Sequence, residues 1–131
     1  MIYPFSLRHI PAFIVATSST FGGLWPIFDA EGAMLEFGFP PHVARTPETR
    51  PVMLNGQART TILGMLAYTF YFRGKFAEVD TLMALYGFYA GLMDSWIVWK
   101  GGNAKWAVFR LVSSWTLGFC GLVGLTASSL P

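Results

Sequence analysis

Four apolar stretches, each close to the length of a membrane span, divide this chain of 131 residues. They run from about His9 to Phe28, Asn55 to Phe72, Val79 to Trp99 and Trp106 to Leu125. About 20 apolar residues in a helix cross ~30 Å of hydrocarbon, so the pattern predicts four membrane-spanning helices. A backbone placed in lipid must satisfy its own N–H and C=O groups, which leaves helix as the reading for runs of this length. The links Arg73–Glu78 and Lys100–Lys105 are short and polar. Short links make antiparallel neighbours, so the expected fold is all-α, an integral-membrane up-and-down four-helix bundle forming one domain over 1–131. Charged residues make up only 12%, about half the ~25% of a soluble domain, which agrees. The first stretch also has features of a signal peptide, with Arg8 ahead of an apolar run and small residues after it. Its continuation through Phe21-Gly22-Gly23-Leu24-Trp25 favours a span.

The connection from Asp29 to Met53 differs in kind. It holds Pro40, Pro41, Pro47 and Pro51 and the acids Asp29, Glu31, Glu36 and Glu48, with no obvious helix or strand. Such a long connection is either a lid or binding loop, or an ordered surface loop with solvated charges. Gly56, Thr60 and Gly64 recur at four-residue spacing, as do Gly87, Gly91 and Ser95, and Gly118, Gly121 and Gly124 add a third small-residue face. Stripes of this kind let helix backbones approach closely in lipid.

Composition also excludes several functions. A net charge of +2 without a basic run argues against nucleic acid, and no glycine loop cradles phosphate. His9 and His42 lie far apart and Cys120 stands alone in an apolar run, so neither a metal site nor an internal disulfide is expected. Orientation stays open, because Arg8, Arg73 and Lys75 on one side balance Arg45, Arg50, Lys100 and Lys105 on the other.

Three charges inside the apolar stretches point to function: Arg59, Asp94 and Arg110. Each costs roughly 2.5–3.5 kcal/mol near mid-bilayer on insertion scales, so they are expected to face one another in the interior. Arg59 lies a few residues into the second helix, Asp94 shortly before Lys100, and Arg110 shortly after Lys105. In an up-and-down bundle, a rise of ~1.5 Å per residue puts all three roughly 6–10 Å below the same face. A carboxylate from Asp29, Glu31 or Glu36 would balance the extra cation. Asn55 and Gln57 add neutral hydrogen-bonding groups at that end, with Tyr86, Tyr89 and Trp96 as aromatic lining. The alternative is a structural Arg–Asp–Arg network that locks helix register, or an Arg110 that snorkels to the headgroups.

An ionised Asp94 oriented by Arg59 can act as general base on a water, while a second carboxyl group protonates a leaving oxygen. Such a pair suits epoxide opening, and equally a proton-transfer isomerisation or cyclisation of a lipophilic molecule. A transporter or channel is disfavoured, since repeated halves and broken helices are missing, unless the chain forms a homo-oligomer.

The stretch Asn55-Gly56-Gln57-Ala58-Arg59 with Gly64, then Gly91-Leu92-Met93-Asp94 and a polar residue on the next helix, resembles a family of small four-helix membrane proteins. Phe37-Gly38-Phe39-Pro40 after the first span is similar to that family's loop signature. Arg110 stands where histidine is more frequent. Within the family, the chain resembles the membrane epoxide hydrolases encoded beside fungal reducing polyketide synthases of aurovertin- and citreoviridin-type pathways. That resemblance implies a cofactor-independent hydrolase or cyclase of the endoplasmic reticulum membrane, acting on polyene epoxides attached to an α-pyrone and carrying Arg59 and Asp94 as site residues. The alternative is a non-catalytic membrane scaffold or lipid-binding module.

Overall fold

The computed structural model describes residues 5–128, and every regular element among them is helical. A 3-10 turn at Leu7–His9 leads into α1 (Ile10–Gly22), followed by the short helices α2 (Trp25–Phe28), α3 (Ala30–Phe37) and α4 (Pro41–Ala44). Three long helices complete the chain: α5 (Thr49–Phe72), α6 (Phe76–Lys100) and α7 (Ala104–Leu122). One stretch, the 22 residues Leu7–Phe28, is long and apolar enough on its own to cross a membrane.

The connection Asp29–Met53 is largely helical, contrary to the expectation of a loop. The Asp29 carboxylate accepts the Gly32 N–H at 2.9 Å and so caps α3. Gly38 closes that helix at φ 115°, a left-handed conformation that glycine adopts without a Cβ penalty. The prolines do not break these helices because Pro41 and Pro51 stand in first turns, where no backbone donor is needed. α5 consequently starts at Thr49 rather than near Asn55.

The long helices form two tightly seamed antiparallel pairs, α1 with α5 and α6 with α7. Glycines set both seams. A Cβ on Gly87 would lie 2.7 Å from the Ser114 carbonyl oxygen, and one on Gly91 would lie 2.5 Å from Ser114 Cβ. On the other pair, a Cβ on Gly64 would lie 2.7 Å from the Ala16 carbonyl oxygen. The glycines of the expected small-residue stripes thus sit at close helix approaches, with two exceptions: Gly56 faces open space, and Gly124, in the turn after α7, meets only the Asp80 carboxylate at 3.9 Å. α5 and α6, although joined by a short turn, touch far less than either touches its own partner, and a groove runs between them.

One end of the molecule is closed by an apolar cluster of Ala12, Val15, Tyr71, Val79 and Met83. Below it, His9 is buried with Nδ1 2.6 Å from the Tyr71 hydroxyl. The buried Asp80 carboxylate accepts the Thr126 N–H at 2.9 Å and the Ala127 N–H at 2.8 Å. Arg8 Nε donates to the Ser128 carbonyl at 2.5 Å, so the start of α1 is bound to the segment that follows α7. At the opposite end a second cluster, Ala30, Met34 and Ala44 with Phe39 and Met53, seats α3 and α4 as a cover. A Cβ on Gly38 would lie 2.8 Å from Val98 Cγ1 and 3.3 Å from Trp106 Cβ, so the turn after α3 rests directly on α6 and α7.

These seams predict opposite outcomes for one substitution at two glycines. Gly87→Ala forces α6 and α7 apart and should lower stability by about 1–3 kcal/mol. Gly56→Ala meets nothing and should raise it by about 0.5–1 kcal/mol through helix propensity. Thermal melts of the two variants in detergent check both signs.

Candidate functional site

Between the closed end and the α3–α4 cover lies a cavity of about 360 Å³ bordered by α1, α3, α5, α6 and α7. Its polar groups follow from helical spacing. On α6, Tyr86, Ala90 and Asp94 recur every fourth residue and share a face. On α5, Gln57 and Thr60 lie three apart, and on α7 Arg110, Ser113 and Leu117 continue the lining.

Arg110 organises the site. Its Nη1 lies 4.0 Å from Asp94 Oδ2 and its Nε donates to the Phe37 carbonyl at 2.6 Å. The guanidinium carbon stands 3.6 Å from the centroid of the Phe37 ring. One side chain from α7 therefore engages α6 by charge and α3 by a hydrogen bond and a cation–π contact. The Arg110 and Asp94 side chains retain 26% and 36% exposure, and both line the cavity. No hydrogen bond from a described residue reaches the Asp94 carboxylate, so its oxygens are open to a molecule in the cavity.

Two further groups face this pair. The Tyr86 hydroxyl accepts from Ser19 Oγ at 3.1 Å, tying α1 to α6, and interacts electrostatically with Asp94 and Arg110. Glu36 lines the cavity from α3 and is itself within electrostatic reach of Arg110. An acid, a guanidinium, a phenol and a second carboxyl group thus border one small hollow.

Several expected site residues lie elsewhere. Arg59 does not border the central cavity or pair with Asp94; it is exposed along the groove between α5 and α6, which Asp94 also borders, and its Nη1 donates to the Asn55 carbonyl at 2.9 Å. The reason is rotation. With ~100° per residue and Gln57 and Thr60 facing the cavity, Arg59 stands about 160° from Gln57 and about 100° from Thr60, and so turns to the outer groove. The three-charge cluster is therefore a two-charge pair, and the cation left to balance disappears. Asp29 is committed to capping α3, and Glu31 pairs with Arg45 at 3.0 Å on the exposed surface. Neither borders the cavity, so of the three candidate acids Glu36 alone does. Asn55 is exposed, Tyr89 lines the outer groove, and Trp96 lies outside with Lys100 Nζ 5.9 Å from its ring. Gln57 and Tyr86 are where expected. Ser19, Thr60 and Phe37 were not legible as site residues. Their signal was small polar or aromatic character within apolar runs, which packing explains equally well.

The arrangement defines a class, a small helical protein with a polar, acid-bearing cavity inside an apolar shell. The chain belongs to the family described as a domain of unknown function, DUF4267, which covers residues 16–124 and so takes in every cavity-lining residue but Val15. No curated protein and no solved structure matches it.

If Arg110 holds the cover down through Phe37, Arg110→Met should cost about 1–3 kcal/mol, by loss of a charged hydrogen bond and an unpaired Asp94. Asp94→Asn in the same chain should recover part of that loss. A double-mutant cycle by thermal melting, with limited proteolysis across α3, reads the coupling; strictly additive values would sever the proposed link.

Proposed function

We propose that the protein is an integral-membrane, up-and-down four-helix epoxide hydrolase or cyclase acting on a lipophilic polyene. The observation carrying this reading is the Asp94–Arg110 pair facing a cavity that Glu36 and Tyr86 also border. Embedding in lipid is supported by the outer surface. Ile14 and Phe21 on α1, Ile62 on α5, Leu92 on α6, and Val112 and Phe119 on α7 are all exposed. Soluble monomers rarely present apolar area on every side.

In this mechanism Asp94 accepts a proton from a cavity water as the water oxygen attacks an epoxide carbon. The carbon–oxygen bond breaks, and the departing oxygen takes a proton from the Glu36 carboxyl group, with the Tyr86 hydroxyl as a further donor to that oxygen. The product is a diol; where a hydroxyl of the substrate replaces water, it is a cyclic ether. Proton return from Asp94 to Glu36 through water resets the site. Arg110 aims the Asp94 carboxylate. No cofactor is needed. The role first expected of Arg59 passes to Arg110, because among the described residues Arg110 alone pairs with the carboxylate.

A second reading is a non-catalytic membrane module in which Arg110 is a structural lock. The hydrogen bond and ring contact to Phe37 favour it, since they give the guanidinium work apart from chemistry.

The two readings separate on purified protein given an epoxidised polyene pyrone. Asp94→Asn and Glu36→Gln should fold yet lose about 10²–10⁴ in turnover, the usual worth of a positioned acid or base. Glu31→Gln, whose carboxylate serves only Arg45, should stay within about twofold. Full activity in Asp94→Asn removes the catalytic reading, and an inert wild type favours the module.

A further inference from the structure

The groove between α5 and α6 has a volume of about 990 Å³, against 360 Å³ for the central cavity. Its walls are two helical stripes: Val52, Gly56 and Leu63 on α5, and Leu82, Leu85 and Tyr89 on α6. The two hollows are not separate. Gln57, Thr60, Tyr86 and Asp94 line both, so the polar cavity opens sideways into the apolar groove along its α5–α6 boundary. The central cavity holds about a dozen water volumes, enough for a reacting group and a short piece of chain and too little for a long one. A molecule whose reacting group reaches Asp94 must extend the remainder through this opening.

We infer that the α5–α6 groove is the second arm of the site, seating the extended apolar chain of a linear substrate that slides in laterally from lipid and stops with its polar reacting group at Asp94 and Arg110. The inference rests on reading the Asp94–Arg110 cavity as a substrate site. It goes further by assigning chain recognition to Leu63, Leu82, Leu85 and Tyr89, and by requiring a substrate that is long, narrow and apolar at one end. Short or branched molecules gain nothing from the groove. Ligand sites of this kind are mainly apolar, with few placed polar groups, and the combined hollow has that character.

Gly56 provides the test. A Cβ there meets nothing within 4 Å, so Gly56→Phe enters the groove from the α5 wall without a clash at the backbone. Leu85→Trp, at a site already 68% exposed, fills it from the opposite wall. The probe is 1,2-epoxyhexadecane with a diazirine at its tail, photolysed with the full chain in dioleoylphosphatidylcholine nanodiscs and mapped by peptide mass spectrometry. Saturable labelling of Leu63, Leu82 or Tyr89 is expected. It should be displaced by unlabelled epoxide and fall about tenfold in both plugged variants, the effect of excluding a few methylenes. Labelling that is as strong at outward Val112, or that is unchanged in both plugged variants, overturns the inference. So does equal groove labelling by a diazirine phosphatidylcholine that the epoxide does not displace, since the groove is then a general lipid seat. Diol formation is measured on the same samples. A labelled groove without product rejects the hydrolase reading and keeps the groove; product with an unlabelled groove rejects the groove alone.

Discussion

The Arg110 side chain is the contact on which the arrangement of the open end depends. It leaves α7, reaches the Asp94 carboxylate on α6 and ends against the backbone and ring of Phe37 on α3. A guanidinium is suited to this because its planar fork serves several acceptors while its face stacks on an aromatic ring. Phe37 is in turn stacked on Phe39, with ring centroids 4.8 Å apart, and the intervening Gly38 takes the backbone conformation that lets both rings lie together. The cover over the cavity is therefore held from inside the cavity, by the same residue that faces the acid. Position of the cover and electrostatics of the site are coupled through one side chain.

The hollow itself follows from where the chain spends its tight packing. Glycine seams draw α6 onto α7 and α1 onto α5, and the apolar cluster fills the closed end. What remains between the pairs is lined by Ser18, Ser19, Thr60 and Ser114, side chains too short to meet across the middle. A core of leucines at these positions would fill the space. The choice of small hydroxyl residues keeps it open and gives it hydrogen-bonding capacity within an apolar shell.

Much of this was legible in the amino-acid order, and each failure has its own physical cause. Run length located the long helices, and short links made them antiparallel. Counting residues from the helix ends placed Asp94 and Arg110 at one depth, and there they meet. Depth alone does not give rotation, so Arg59 was placed inward although the register that turns Gln57 and Thr60 to the cavity turns it out. The Asp29–Met53 connection read as loop because its prolines were weighed as breakers, while Asp29, Gly38 and Pro41 are cap and first-turn residues. Asp80 passed unnoticed in the third stretch. Its partners are backbone donors of Thr126 and Ala127, distant in sequence and invisible to any pattern of side chains.

The knot at the closed end has a geometric corollary. Arg8 and Ser128 are in contact, and Asp80 holds the segment between Ser128 and α7, so residue 128 returns to the start of α1. Probes attached at the two sides of this contact would stand side by side, remote from the Asp94 mouth. A label pair at Leu7 and Ser128 would then report on the integrity of that junction without obstructing the aperture.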